Sequence, residues 1–204
     1  MGDVPEAMKW PRSYATYSAG DLAQISGLTQ DMQRLWRKRG HLPEIGGGHA
    51  RFTPNDVIMI TIRYALSKLG VSPSQSPAIA DIAIAGALFH AIISHAGACE
   101  VIGPAGDVDE FLSGFELDDF ASDLAGHPQQ TNYLVWDEDG DHRVIDRDEA
   151  IFDESTIFIA GVDLRVVGAR LMIRGRKPIV TLEAPVNLTG RRVRRLTGVG
   201  ANDS

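Results

Sequence analysis

A chain of 204 residues, 44% hydrophobic and 23% charged, is long enough to bury a core and too apolar to stay disordered. One cysteine, Cys99, excludes a disulfide framework and a thiolate metal cage, and it fits a reducing cytoplasm. The net charge of −7 divides unevenly: residues 1–70 hold nine Lys/Arg against six Asp/Glu, residues 71–186 seven against twenty, and residues 187–204 four against one. That distribution argues against a protein that coats nucleic acid over its whole surface, and it leaves room for a local cationic footprint.

Residues 1–16 show no periodicity and are read as a flexible arm; without a basic stretch leading into an apolar core, they predict no signal peptide. Order begins at "YSAGDLAQISG". Ser18 and Asp21 have capping-box spacing, Tyr17 and Leu22 supply the hydrophobic staple, and Gly27 ends a short helix. Thr29 caps a second helix, with Asp31 in the first turn, where the dipole favours an anion. That helix runs to about Arg39 and stops at Gly40. Ala23 is small enough for two helices to cross closely, and Gly27 suits the tight turn between them. In "HLPEIGGGHARF", Pro43 and three glycines exclude a helix and suit a small hairpin or wing. A third helix then starts at Thr53, with Pro54 at its first position, Asp56 closing a second capping box and Phe52 stapled on Val57. Ile58, Ile62, Ala65 and Leu69 continue it at helical spacing until "LGVSPSQSP".

Residues 77–97 form an apolar stretch approaching the ~18–20 residues that span a bilayer. Asp81 and His90 interrupt it, so a buried helix is expected. Ile79, Ile82, Gly86, Phe89 and Ile93 recur at alternating spacings of three and four, which leaves open a core helix or a dimer seam. Residues 98–186 are read as an acidic α+β domain of their own. A short helix is expected within "DVDEFLSGFELDDFASDL", two strands around an Asp-Gly turn in "NYLVWDEDGDHRVID", and further strands in "STIFIAG" and "KPIVTLE". "VDLRVVGARLMIRG" reads either as a helix with Arg165, Arg170 and Arg174 outward or as another hairpin. The tail 187–204 is basic, without an apolar period, and is read as flexible. The fold class expected is α+β.

From "YSAGDLAQISGLTQDMQRLWRKRGHLPE" to "GGGHARFTPNDVIMITIRYALSKLGVS", Tyr17 to Ser72, the chain resembles the MerR-type family of bacterial transcription regulators. The order of elements, the Gly27-to-Gly40 spacing, the stretch Lys38 to Pro43 and the closing "LGVS" carry the likeness. The resemblance implies a winged helix-turn-helix whose second helix lies in the major groove. Thr29, Gln30, Gln33, Arg34, Arg37 and Lys38 would then face DNA. Arg can bridge the two acceptors of guanine, Gln can pair with adenine, and Lys mostly neutralises phosphate. The resemblance also puts Arg34 and the wing's Arg51 among the DNA contacts, with His49 at the wing tip. The family usually has leucine or isoleucine where this chain has Gln33, an aromatic pair where it has Leu35-Trp36, and arginine where it has Ala50.

The implied function is a cytoplasmic, sequence-specific DNA-binding transcription regulator acting as a homodimer on a two-fold operator of double-stranded DNA. RNA polymerase or another protein is a further partner, met through the acidic C-terminal half; no membrane is involved. No catalytic residue, metal or cofactor is assigned. Asp137, Asp139 and Asp141 occupy alternate positions and Asp148 the twelfth, as in a calcium loop, but His142 stands where that loop needs glycine. "IGGGH" is not followed by the Lys-Ser/Thr of a phosphate loop, and the six histidines show no ligand spacing. Two rival readings remain: an architectural or excisionase-like DNA-binding protein of a mobile element, and a small-molecule sensor or enzyme with its site in residues 98–186.

Overall fold

Ser18 starts the first helix as its sequence dictates. Its hydroxyl accepts the Asp21 N–H at 3.1 Å while the Asp21 carboxylate accepts the Ser18 N–H at 2.9 Å. The computed structural model describes residues 10–43, 50–126, 131–137, 140–146, 159–184 and 192–196. Helix α1 (Ala19–Ser26) ends at Gly27, whose φ of 80° is left-handed and whose N–H reaches the Ala23 carbonyl. Helix α2 (Gln30–Lys38) is capped by Thr29, and α3 (Pro54–Lys68) by the reciprocal Thr53–Asp56 box, with Pro54 opening it. Tyr17 and Phe52 exchange backbone hydrogen bonds of 2.8 and 2.9 Å, closing the base of the wing on the start of α1. Helix, turn, helix, wing base and helix follow in the expected order. The wing residues 44–49, His49 among them, lie outside the described residues.

The apolar run beyond α3 is two helices, α4 (Ser76–Asp81) and α5 (Ile84–Ile93), rather than one. Ser76–Ile93 is long and apolar enough to cross a membrane by composition, and 56% of it is buried inside the protein. Helix α5 packs mainly on α8 (Leu164–Gly175), the helix alternative of "VDLRVVGARLMIRG". The two approach so closely that a Cβ on Gly168 would lie 2.7 Å from the Ala87 carbonyl oxygen and the Ala91 nitrogen. Phe89 is buried while Ile82 is 44% exposed and Ile79 and Ile93 are partly buried, so the central side chain of the Ile79–Ile82–Phe89–Ile93 set already serves the chain's own core.

The C-terminal half holds β2 (Cys99–Gly103), α6 (Ala105–Ser113), α7 (Leu117–Leu124), β3 (Tyr133–Asp137), β4 (His142–Ile145), β5 (Ile159–Asp163), α8 and β6 (Val180–Glu183). The "DVDEFLSGFELDDFASDL" segment thus yields two helices, broken at Gly114. Strands β4, β3 and β5 form an antiparallel sheet, with Gly140 at the expected Asp-Gly turn.

A second sheet, ordered β1-β6-β2-β7, draws in both ends of the chain. Its β1 (Arg12–Tyr14) pairs antiparallel with β6, β6 runs parallel to β2, and β7 (Arg192–Arg195) closes the far edge. Two expectations are corrected here, because the arm contains β1 and the tail contains β7. A three-residue strand is too short to display an alternation, and "RVRR" has a single apolar side chain with which to show one. One core runs from Tyr17, Leu22 and Ile62 through Ile92 to Leu171 and Leu182, so residues 98–186 do not build a separate one.

Candidate nucleic-acid interface

Helix α2 is divided by its own sequence. Gln33 and Trp36 point inward, while Gln30, Arg34 and Lys38 recur every fourth residue on the outward side. Arg34 is 72% exposed, and its Nη1 lies 2.6 Å from Asp31 Oδ1 across one turn. Thr29 is exposed, its hydroxyl accepting the Met32 N–H at 3.3 Å. Arg51, just before Phe52, is also exposed. Arg39, absent from the expected contact set, is exposed beside Lys38 and adds to the same positive end; its place in the "RKRG" run was the available signal.

Two expected side chains turn away from that surface. Gln33 is wholly buried: its amide nitrogen donates to the Ala19 and Leu28 carbonyls, both at 3.0 Å, tying α2 to the turn and to α1. It stands where the family has an aliphatic residue and does that residue's packing, with hydrogen bonds added. Its assignment as a base-reading residue is corrected. Arg37 is half-buried, with its guanidinium 5.9 Å from the Phe52 ring centre. Its Nε and Nη2 are buried without hydrogen-bond partners, and desolvation lowers its pKa from the usual arginine value.

Behind α2, Trp36 is braced by Tyr64 edge-on at 6.3 Å and by the Arg63 guanidinium at 5.6 Å. Arg63 is buried, donating to the Ser76 hydroxyl at 3.2 Å and the Pro73 carbonyl at 3.1 Å. The periodicity of α3 gave no sign of this arginine, because its partners, Pro73 and Ser76, lie beyond the helix. The C-terminal half also holds α1 in place: Arg174 donates to the Gln24 carbonyl at 3.1 Å, and a Cβ on Gly175 would meet the Tyr17 ring at 3.0 Å. The exposed face of α2 is thereby mounted on a rigid frame.

Cys99 is buried, and burial pushes its thiol up to about 12, far from a nucleophile's range. Asp137 and Asp141 form the hairpin turn, where the Asp141 N–H donates to Asp137 Oδ1 at 3.0 Å; Asp139 and Asp148 lie outside the described residues. Asp123 of α7 pairs with Arg12 of β1 at 3.3 Å and Glu100 of β2 with Arg195 of β7 at 2.9 Å, so both acidic residues are committed to the fold.

Residues 17–79 match the family model described as MerR HTH family regulatory protein. A comparison with curated proteins gave no match.

Proposed function

We propose, from the MerR-type helix-turn-helix domain of DNA-binding transcription regulators that residues 17–79 form, that the whole chain is a sequence-specific regulator in the cytoplasm. The observation that carries this reading is the outward stripe Gln30, Arg34 and Lys38 on a helix whose other face is fixed in the core. Laid in the major groove, that stripe offers Arg34 to guanine, Gln30 to adenine and Lys38 to phosphate, with Thr29 at the helix start. Arg51 and the wing's His49 extend the contact along the backbone. Arg37, stacked on Phe52, holds the wing base to α2 and keeps a positive charge near the phosphates.

A single winged domain has a small footprint, and a homodimer on a two-fold operator doubles it. With Phe89 buried, pairing would cover side chains that remain exposed, such as Leu69, Ile82, Val166 and Ile173. The acidic segment 100–154, with seventeen Asp/Glu against Arg143 and Arg147, is repelled by phosphates and faces away from DNA, toward RNA polymerase or another protein partner. This role requires no reaction and no cofactor.

Genome-wide mapping of DNA bound by the full chain, followed by anisotropy titrations on the recovered sites across salt, tests the proposal. Recovered promoters sharing a two-fold motif are expected, each bound at least ~10³-fold tighter than random duplex. Enrichment at attachment sites would instead favour the excisionase-like role, and equal affinity for all duplexes would refute specific regulation.

A further inference from the structure

Between the wing base and the C-terminal half lies a cleft of about 260 Å³. It is lined by Tyr14 of β1, Pro54 and Asn55 in the first turn of α3, Leu88 of α5, Leu124 of α7 and Ile179. A dry cavity of roughly 150 Å³ accommodates benzene, while ligand pockets commonly begin near ~300 Å³. A molecule of one or two rings therefore fits.

The polar groups at this cleft narrow its chemistry. The Tyr14 side chain is 50% exposed, and its hydroxyl has no hydrogen-bond partner among the described residues. The side-chain amide and backbone N–H of Asn55 are equally unpartnered there, the latter a first-turn donor that the helix itself leaves unsatisfied. The Thr53 hydroxyl is already engaged with Asp56. No charged side chain among the described residues lines the cleft, so a charged ligand would lose hydration without gaining a counter-ion.

Two of the lining residues, Tyr14 and Asn55, also stand close in sequence to the wing base. Tyr14 is three residues from Tyr17, Asn55 three from Phe52, and Tyr17 and Phe52 are bridged by paired backbone hydrogen bonds. A ligand wedged against Tyr14 and Asn55 bears directly on the Tyr17–Phe52 bridge that closes the base of the wing.

We propose that this cleft is an effector site for a small, neutral aromatic molecule with a hydrogen-bond-accepting oxygen, and that its occupancy alters DNA affinity. The ring stacks on Tyr14, the oxygen accepts from Asn55, and Leu88, Leu124 and Ile179 cover the apolar remainder. The regulatory part rests on the DNA-binding reading above; the site itself does not.

Coumarin and acetophenone serve as probes, with binding to the full chain followed by saturation-transfer NMR. Saturable binding of at least one is expected, weakened tenfold or more by Leu124→Trp, which fills the cleft, and by Asn55→Ala, which changes only an exposed helix position. Naphthalene, lacking the oxygen, should bind at least fivefold more weakly than coumarin. Absence of saturable binding by both probes, or equal binding by wild type and Asn55→Ala, overturns the site. DNA titrations with and without the bound probe come second. A bound probe that leaves an intact DNA affinity unchanged overturns the regulatory role, whereas bound probe with no DNA affinity at all refutes the DNA-binding reading and leaves the site standing.

Discussion

Lys177 Nζ lies 3.0 Å from Asp21 Oδ2 and 2.9 Å from the Thr16 carbonyl, with its charge 4.6 Å above the Tyr17 ring. A residue just past α8 thus completes the N-terminal cap of α1, 156 positions earlier in the chain. The C-terminal half is built onto the helix-turn-helix rather than tethered to it, and the consequences can be measured.

The Ser18 N–H first, and then Lys177, hold the Asp21 carboxyl below its ordinary value of 3.8, against the opposing effect of burial. A depressed folded-state pKa contributes stability above the unfolded value and loses it as pH falls through the folded one. Asp21→Asn should therefore cost about 1–2 kcal/mol at pH 6, cap and ion pair together. By pH 3 the gap between wild type and variant should have narrowed. Urea unfolding at the two pH values checks this, and a constant gap would show that the carboxylate's charge is irrelevant.

On the proposed interface Arg34 competes with an intrahelical partner, because Asp31 holds its Nη1 at 2.6 Å on an exposed turn. Arg34→Ala should cost ~1–3 kcal/mol on the specific site and relax its base preference, while Lys38→Ala weakens all sequences more evenly. Asp31→Asn removes a negative charge from the proposed DNA-facing turn and frees Arg34, so it should tighten binding, most at low salt. Anisotropy titrations at two ionic strengths separate these outcomes; an unchanged Arg34→Ala would remove Arg34 from the interface.

Gln33→Ala leaves the Ala19 and Leu28 carbonyls without their donor. A loss of about 1–3 kcal/mol in folding stability is expected for such buried groups. DNA affinity measured well below the melting transition, and its salt dependence, should stay near wild type. Weakened binding by a fully folded variant would return Gln33 to the DNA-reading set.

Gly168→Ala places a methyl group against the backbone of α5, where neither the Ala87 oxygen nor the Ala91 nitrogen can rotate aside. The helices must separate, at a cost of roughly 1–3 kcal/mol as for other overpacked cores. Because α8 also packs on α1 and α3, hydrogen exchange should quicken in the helix-turn-helix as well as in the C-terminal half. Faster exchange confined to α5 and α8 would mean that the halves unfold independently.

By itself the sequence determined the caps, the left-handed Gly27 turn and the three helices from Ala19 to Lys68, because those choices are made within a few residues. The Ser18–Asp21 and Thr53–Asp56 boxes close over three positions, and no distant partner is needed to recognise them. The Asp-Gly hairpin was legible for the same reason. Which polar side chains face outward was less so: Gln33 and Arg37 belong to the same cationic, amide-rich run as Arg34, and only packing against α1 and Phe52 turns them inward. The tertiary structure alone decided that Arg12–Tyr14 and Arg192–Arg195 are strands. Each is too short or too polar to show a period, and each takes its conformation from hydrogen bonds to β6 or β2. It also decided that α5 is a core helix, since an apolar helix meets a partner chain or its own fold with the same side chains. The glycine at 168 lets α8 approach the backbone of α5 at Ala87 and Ala91, which seats that helix in the core.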